Sequence, residues 1–162
     1  MQDVPSAPPV DFAMLLNQSS YALGSRLNAA LAEVGVTVRM YCVLLKAAEG
    51  EYTQGQIAEA AWLDKTTMVV TTDELERRGL AERRPSPTDR RARVIAVTAA
   101  GRRTLERANA VVQGVYDEVL AGVPKAQRQA FAAVLQQLVD GPLAAPFHLE
   151  DQRPARRRRQ TA

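Results

Sequence analysis

The sequence predicts a mainly α-helical fold carrying one small β-hairpin, and three observations predict it. Apolar residues recur at helical spacing along most of the chain. Two short strand-like runs, 80–84 and 93–98, flank a tip containing Pro85 and Pro87. Gly35, Gly50, Gly79 and Pro124 stand where the helical patterns stop or start. With 162 residues and 46% apolar side chains, the chain can bury the core of one ordinary domain, expected over 11–140.

A first helix is expected over about 11–33, with Leu16, Leu23, Leu27 and Leu31 on one stripe and Gly35 beyond its end. The second runs from about 37 to 49 and stops at Gly50. Thr53-Gln54-Gly55-Gln56 has the spacing of a capping box, so a short third helix follows to about 61. After a tight connection at Trp62-Leu63, Asp64 suits the positive end of a fourth helix, 65–78, closed by Gly79. The hairpin comes next, with Pro85 to Asp89 as its tip. Thr98 caps a long fifth helix bearing Leu105, Ala108, Val112, Val115 and Val119, and Pro124 opens a sixth bearing Phe131, Val134, Leu135, Leu138 and Val139. Gly141-Pro142 ends it. Residues 1–10 and the Pro/Arg-rich tail 141–162 lack apolar period and are expected to be disordered.

Composition excludes several classes. One Cys and one His provide neither an internal disulfide nor a zinc cluster, and no cofactor or metal is expected. No apolar run approaches a membrane span, and MQDVPSAPPV has no basic leader, so a cytoplasmic protein without a membrane partner is expected. Asp73-Glu74 and Asp117-Glu118 place neighbouring carboxylates on different helix faces with no nucleophile or phosphate loop nearby, and His148 has no partner. No catalytic residue is assigned, and an enzyme is not expected.

Charge is unevenly distributed. Residues 1–76 hold four basic and ten acidic side chains, whereas 77–107 hold ten basic and three acidic. A basic island in an acidic or neutral body is a polyanion footprint, with a solvated surface run as the alternative. The Arg-rich tail adds five basic residues whose role stays open among phosphate contact, docking on the acidic half and solubility.

Two short helices followed by a basic hairpin make a winged helix-turn-helix over about 37–98, with the fourth helix suited to a major groove. Met68, Thr71, Thr72 and Leu75 share one face and should pack inward; Thr66, Val69, Val70 and Asp73 face away. Adjacent valines among threonines and a lysine suit thymine methyls and backbone phosphates, unless another part of the protein covers them. The candidate DNA-binding residues of the helix-turn-helix are Thr53, Gln54, Lys65, Thr66, Thr67, Val69 and Val70. On the hairpin, Asp89 can hold Arg91 by charge-assisted bonds and aim it outward.

Residues 53–59 (Thr-Gln-Gly-Gln-Ile-Ala-Glu), 64–80 (Asp-Lys-Thr-Thr-Met-Val-Val-Thr-Thr-Asp-Glu-Leu-Glu-Arg-Arg-Gly-Leu) and 89–98 (Asp-Arg-Arg-Ala-Arg-Val-Ile-Ala-Val-Thr) resemble the MarR (multiple antibiotic resistance regulator) family of transcription factors over about 11–140. The resemblance implies a homodimer whose terminal helices, 11–33 and 99–140, interlock, reading a palindromic double-stranded operator. It also implies that Arg91 enters the minor groove, leaving Arg90, Arg83, Arg84 and Arg93 as phosphate contacts. A small aromatic or phenolic anion is the implied ligand, with Tyr21, Arg39, Tyr41 and Cys42 near its site; core aromatics, a surface arginine and a buried unreactive thiol are the competing readings. The implied function is a sequence-specific regulator, expected to be a repressor released by its ligand; the alternative is a protein-interaction or non-specific DNA-packaging module. Two positions depart from the pattern. Val70 stands where Arg is common, and Trp62 occupies a turn where Gly is common; an indole takes positive φ only at a cost, so either the turn differs or is strained, or, as expected here, the ring plugs the gap between the second and third helices.

Overall fold

The computed structural model describes residues 10–86, 89 and 92–144. Among these described residues six helices and one hairpin follow in the expected order: α1 (Phe12–Ala32), α2 (Val38–Glu49), α3 (Gln54–Ala60), α4 (Lys65–Arg77), β1 (Ala81–Pro85), β2 (Arg93–Val97), α5 (Ala99–Val119) and α6 (Lys125–Asp140). Side-chain caps start most of them, those at Thr53, Asp64 and Thr98 as expected. Asp11 accepts from the Met14 amide, Thr37 from Met40 and Asp64 from Thr67, while Thr53 and Gln56 complete the capping box at α3. Pro124 opens α6 without a side-chain cap.

Three helices close on the same backbone device, in which a residue with positive φ lets two successive amides reach back to the last turn. After α1, Gly35 (φ 77°) and Val36 bond to the carbonyls of Ala32 and Leu31. After α4, Gly79 (φ 66°) and Leu80 bond to Glu76 and Leu75. After α3, the amides of Trp62 and Leu63 bond to Glu59 and Ala58, and here the positive φ (53°) falls on Trp62. The indole does not plug the space between α2 and α3: it is 57% exposed. The left-handed backbone turns it outward, and the next residue, Leu63, packs against the core instead.

The hairpin pairs Ala81 with Val97 through Pro85 with Arg93 in antiparallel register. Pro85 therefore belongs to β1, not to the tip, because both strands of a two-stranded ribbon are edges and tolerate a missing donor. On its other side β2 makes a single bridge, Val94 to Thr53, and the Ile95 amide donates to the Tyr52 carbonyl at 3.0 Å. This ties the chain entering α3 to the hairpin.

Among the described residues, those through Val119 form one compact unit and those from Leu120 a second. The core of the first comes from the end of α1 (Leu31), from α2 (Val43, Leu44), α3 (Ile57), α4 (Met68, Leu75), β2 (Ile95) and α5 (Leu105, Ala108). Gly101 seats α5 against the hairpin: a Cβ there would lie 1.9 Å from the Leu80 carbonyl oxygen. Thr98 completes the joint, donating to the Gly79 carbonyl at 2.7 Å and accepting from the Gly101 amide at 3.0 Å. In the second unit, α6 buries none of its residues.

Candidate nucleic-acid interface

One face of α4 belongs to the core and the other to solvent. Met68, Thr72 and Leu75 are fully buried and Thr71 nearly so. The two buried hydroxyls satisfy themselves within the helix, Thr71 donating to the Thr67 carbonyl at 2.7 Å and Thr72 to Met68 at 2.8 Å. Opposite them Thr66, Val69, Val70 and Asp73 are exposed, Val70 by 62%. Lys65, Met68 and Val69 face Gln54, Gly55 and Ala58 of α3 across a shallow cleft of about 240 Å³, with a mainly apolar surface. Lys65 itself is exposed.

The cap threonines differ from Thr66. Thr53 uses its hydroxyl in the capping box, where its oxygen accepts from the Gln56 amide. Thr67 donates its hydroxyl to the second carboxylate oxygen of Asp64 at 2.6 Å, and its amide donates to the first at 2.9 Å. These two bonds, the hydroxyl first, hold the Asp64 carboxyl below its ordinary range. Both threonines thus fix helix starts, while Thr66 is exposed.

The hairpin arginines divide in the same way. Arg83 is turned into the protein: its guanidinium donates to Asp73 at 2.7 Å, to Gln54 at 3.2 Å and to Glu76, and its amide donates to Glu76 at 2.7 Å. Its side chain is 26% exposed. Arg83 therefore ties β1 to α3 and α4, a role its place in a basic run did not reveal. Arg84, next to it, is 63% exposed and among the described residues pairs with Glu82 two residues away, and Arg93 on β2 is exposed. Asp89 helps shape the tip, its amide donating to the Ser86 hydroxyl at 3.3 Å and its carbonyl accepting from Ala92 at 3.0 Å. Arg90 and Arg91 lie outside the described residues, as do the tail arginines and His148.

The expected ligand residues are spread along two helices. Tyr21 is 81% exposed, on a shallow concavity of α1 shared with Ser20, Gly24, Ser25 and Asn28. Tyr41 instead reaches α5, donating to Asn109 at 3.0 Å. Burial, then the neighbouring Tyr116, pushes its phenol up. Burial also pushes up the thiol of Cys42, while Arg39 is exposed.

This arrangement recurs in a transcriptional regulator of the MarR family from Rhodococcus sp. RHA1, 31% identical over 82% of this chain and 97% of that one, with a TM-score of 0.74. The chain belongs to the MarR family. The family's own sequence pattern matches residues 35–92, the helix-turn-helix and the hairpin up to the start of β2. CouR from Rhodococcus jostii RHA1, bound to p-coumaroyl-CoA, is 33% identical over 86% of this chain and 95% of its own, with a TM-score of 0.73. CouR has also been solved as a transcriptional repressor on a 23-mer DNA duplex. A MarR-family protein of Mycobacterium tuberculosis in complex with salicylic acid is 26% identical over 82% of this chain and 99% of that one, with a TM-score of 0.68. Among the described residues of this MarR-family regulator, no helix is long and apolar enough to cross a membrane and no cluster of His, Cys, Asp or Glu is grouped to hold a metal ion.

Proposed function

We propose that this MarR-family chain is a homodimeric, sequence-specific transcriptional repressor in the cytoplasm, released from DNA by a small aromatic anion. The observation that carries the reading is the outer face of α4. An ordinary surface helix does not expose two adjacent valines beside a lysine while burying every side chain opposite. In a major groove those methyls meet thymine methyls, and Lys65 and Thr66 meet phosphate or base edges. Arg84 and Arg93 then follow the backbone, and Arg90 and Arg91, between the two strands in sequence, are further candidate contacts. CouR on its duplex supports this use of the fold.

The homodimer is supported by apolar surface that a single chain leaves uncovered. Phe12, Met14 and Leu15 of α1 are more than half exposed, and so are Phe131 and Val134 of α6. Two identical reading heads imply a palindrome with half-sites about 10 bp apart. The ligand class rests on the p-coumaroyl-CoA and salicylic acid of the relatives, with Tyr21, Arg39, Tyr41 and Cys42 as its candidate contacts. Release requires unequal ligand affinity for two spacings of the reading heads; a tenfold loss of DNA binding needs about 1.4 kcal/mol.

Titrating the purified chain with DNA from upstream of its own coding sequence and with random duplex tests the reading. A regulator prefers its site by roughly 10³ or more at physiological salt. A packaging protein binds both alike, with a steep salt dependence.

A further inference from the structure

We propose that Trp62 is a DNA-contacting residue, its indole lying on the sugar–phosphate backbone beside the groove that α4 enters. The inference rests on the DNA-binding reading above and assigns a contact beyond it. Trp62 stands at the left-handed position that closes α3, and among the described residues it is the one non-glycine with positive φ. The same closure recurs after α1 and α4, and at both the chain uses glycine, Gly35 and Gly79. Glycine takes this backbone without steric cost, whereas a side chain with a Cβ is strained there.

Packing does not explain the exception. The closing bonds at α3 are made by the amides of Trp62 and Leu63, which glycine at 62 would preserve, and Leu63 supplies the contact with the core. The indole itself is 57% exposed. A strained backbone carrying an exposed large aromatic group points to a partner outside the folded chain.

The place in the fold names that partner. Trp62 lies in the turn joining the two helices of the reading head, three residues before Lys65 at the start of α4. A group at the entrance of a helix lodged in a groove meets the flanking backbone before it meets bases. The flat indole face suits deoxyribose, and its Nε1–H can donate to a phosphate oxygen. The contact adds affinity on any sequence.

Trp62 is the sole tryptophan of the chain, so intrinsic emission reports this site alone. The experiment uses the full chain, a duplex of its own upstream DNA, and the variants Trp62→Gly and Trp62→Phe. The wild type should lose acrylamide quenching when DNA is added. Trp62→Gly should melt no lower than wild type, because the closure is relieved of strain, yet bind the duplex about tenfold more weakly, with Trp62→Phe between them. A merely structural tryptophan would lower melting temperature and affinity together. The inference is overturned if wild type binds DNA with unchanged quenching, or if Trp62→Gly binds as tightly as wild type. Failure of wild type to bind any duplex would instead overturn the DNA-binding reading, and this contact with it.

Discussion

Arg83 and Arg84 are adjacent in β1 and have opposite surroundings, which gives a test inside one dipeptide. Arg83→Ala takes the guanidinium from Glu76, Asp73 and Gln54 while the residue-83 amide still reaches Glu76, so it should lower stability by about 1 kcal/mol and weaken DNA binding indirectly. Arg84→Ala should leave the urea midpoint unchanged, weaken operator and random duplex alike, and reduce the salt slope by about one. Equal loss of stability in both variants would contradict this division. From sequence the two arginines were indistinguishable, because the distinction depends on Asp73, Glu76 and Gln54 converging on one of them from other elements. Trp62 was misread for a different reason: positive φ is costly for an indole, so the ring was expected to fill the gap between helices, yet the chain adopts that φ and the ring faces outward. Cys42 supplies a pH test. Burial raises its thiol above the ordinary 9.0, so the folded chain keeps that proton longer than the unfolded chain. The associated stability is present below the ordinary thiol range and is lost as pH rises through the folded value. Alkylation by iodoacetamide should be slow at pH 7.5 and rise with a midpoint above 9.0, and Cys42→Ala should flatten part of the alkaline fall in stability.

Individual elements were the most legible level. Capping residues and glycine stops are short-range chemistry, so Thr53, Asp64 and Thr98 are visible in the sequence and keep their roles in the fold, whereas the caps Asp11 and Thr37 were not singled out. Contacts between elements were not visible: nothing local announces the bridge from Thr53 to Val94, or that Pro85 pairs with Arg93. Gly101 is the sharpest case. It lies in the first turn of α5, where alanine would ordinarily be favoured over glycine, yet the approach of the Leu80 carbonyl leaves no room for a methyl group. Gly101→Ala should therefore destabilise the chain by about 1–3 kcal/mol by forcing α5 from the hairpin. A melting temperature at or above that of wild type would show that α5 does not need this close seat.

At the scale of the whole molecule, exposed apolar residues and exposed cations have different tasks. Phe131 and Val134 on α6, like Phe12 and Met14 on α1, belong to the proposed contact with a second copy, so Phe131→Glu should shift the chain from dimer to monomer in sedimentation at micromolar concentration. A wild-type chain that sediments as a folded monomer would remove the basis for a palindromic site. Sequence showed that these stripes exist but not what covers them, because periodicity marks a face without naming its partner. The central claim is that two α4 helices read a specific sequence. Its most direct test is equilibrium titration of the wild-type chain, at physiological salt, on its own upstream duplex and on a scrambled duplex of equal length. The account predicts one dimer per site and a preference of roughly 10³ or more for the upstream sequence. Equal affinity for both duplexes would contradict it.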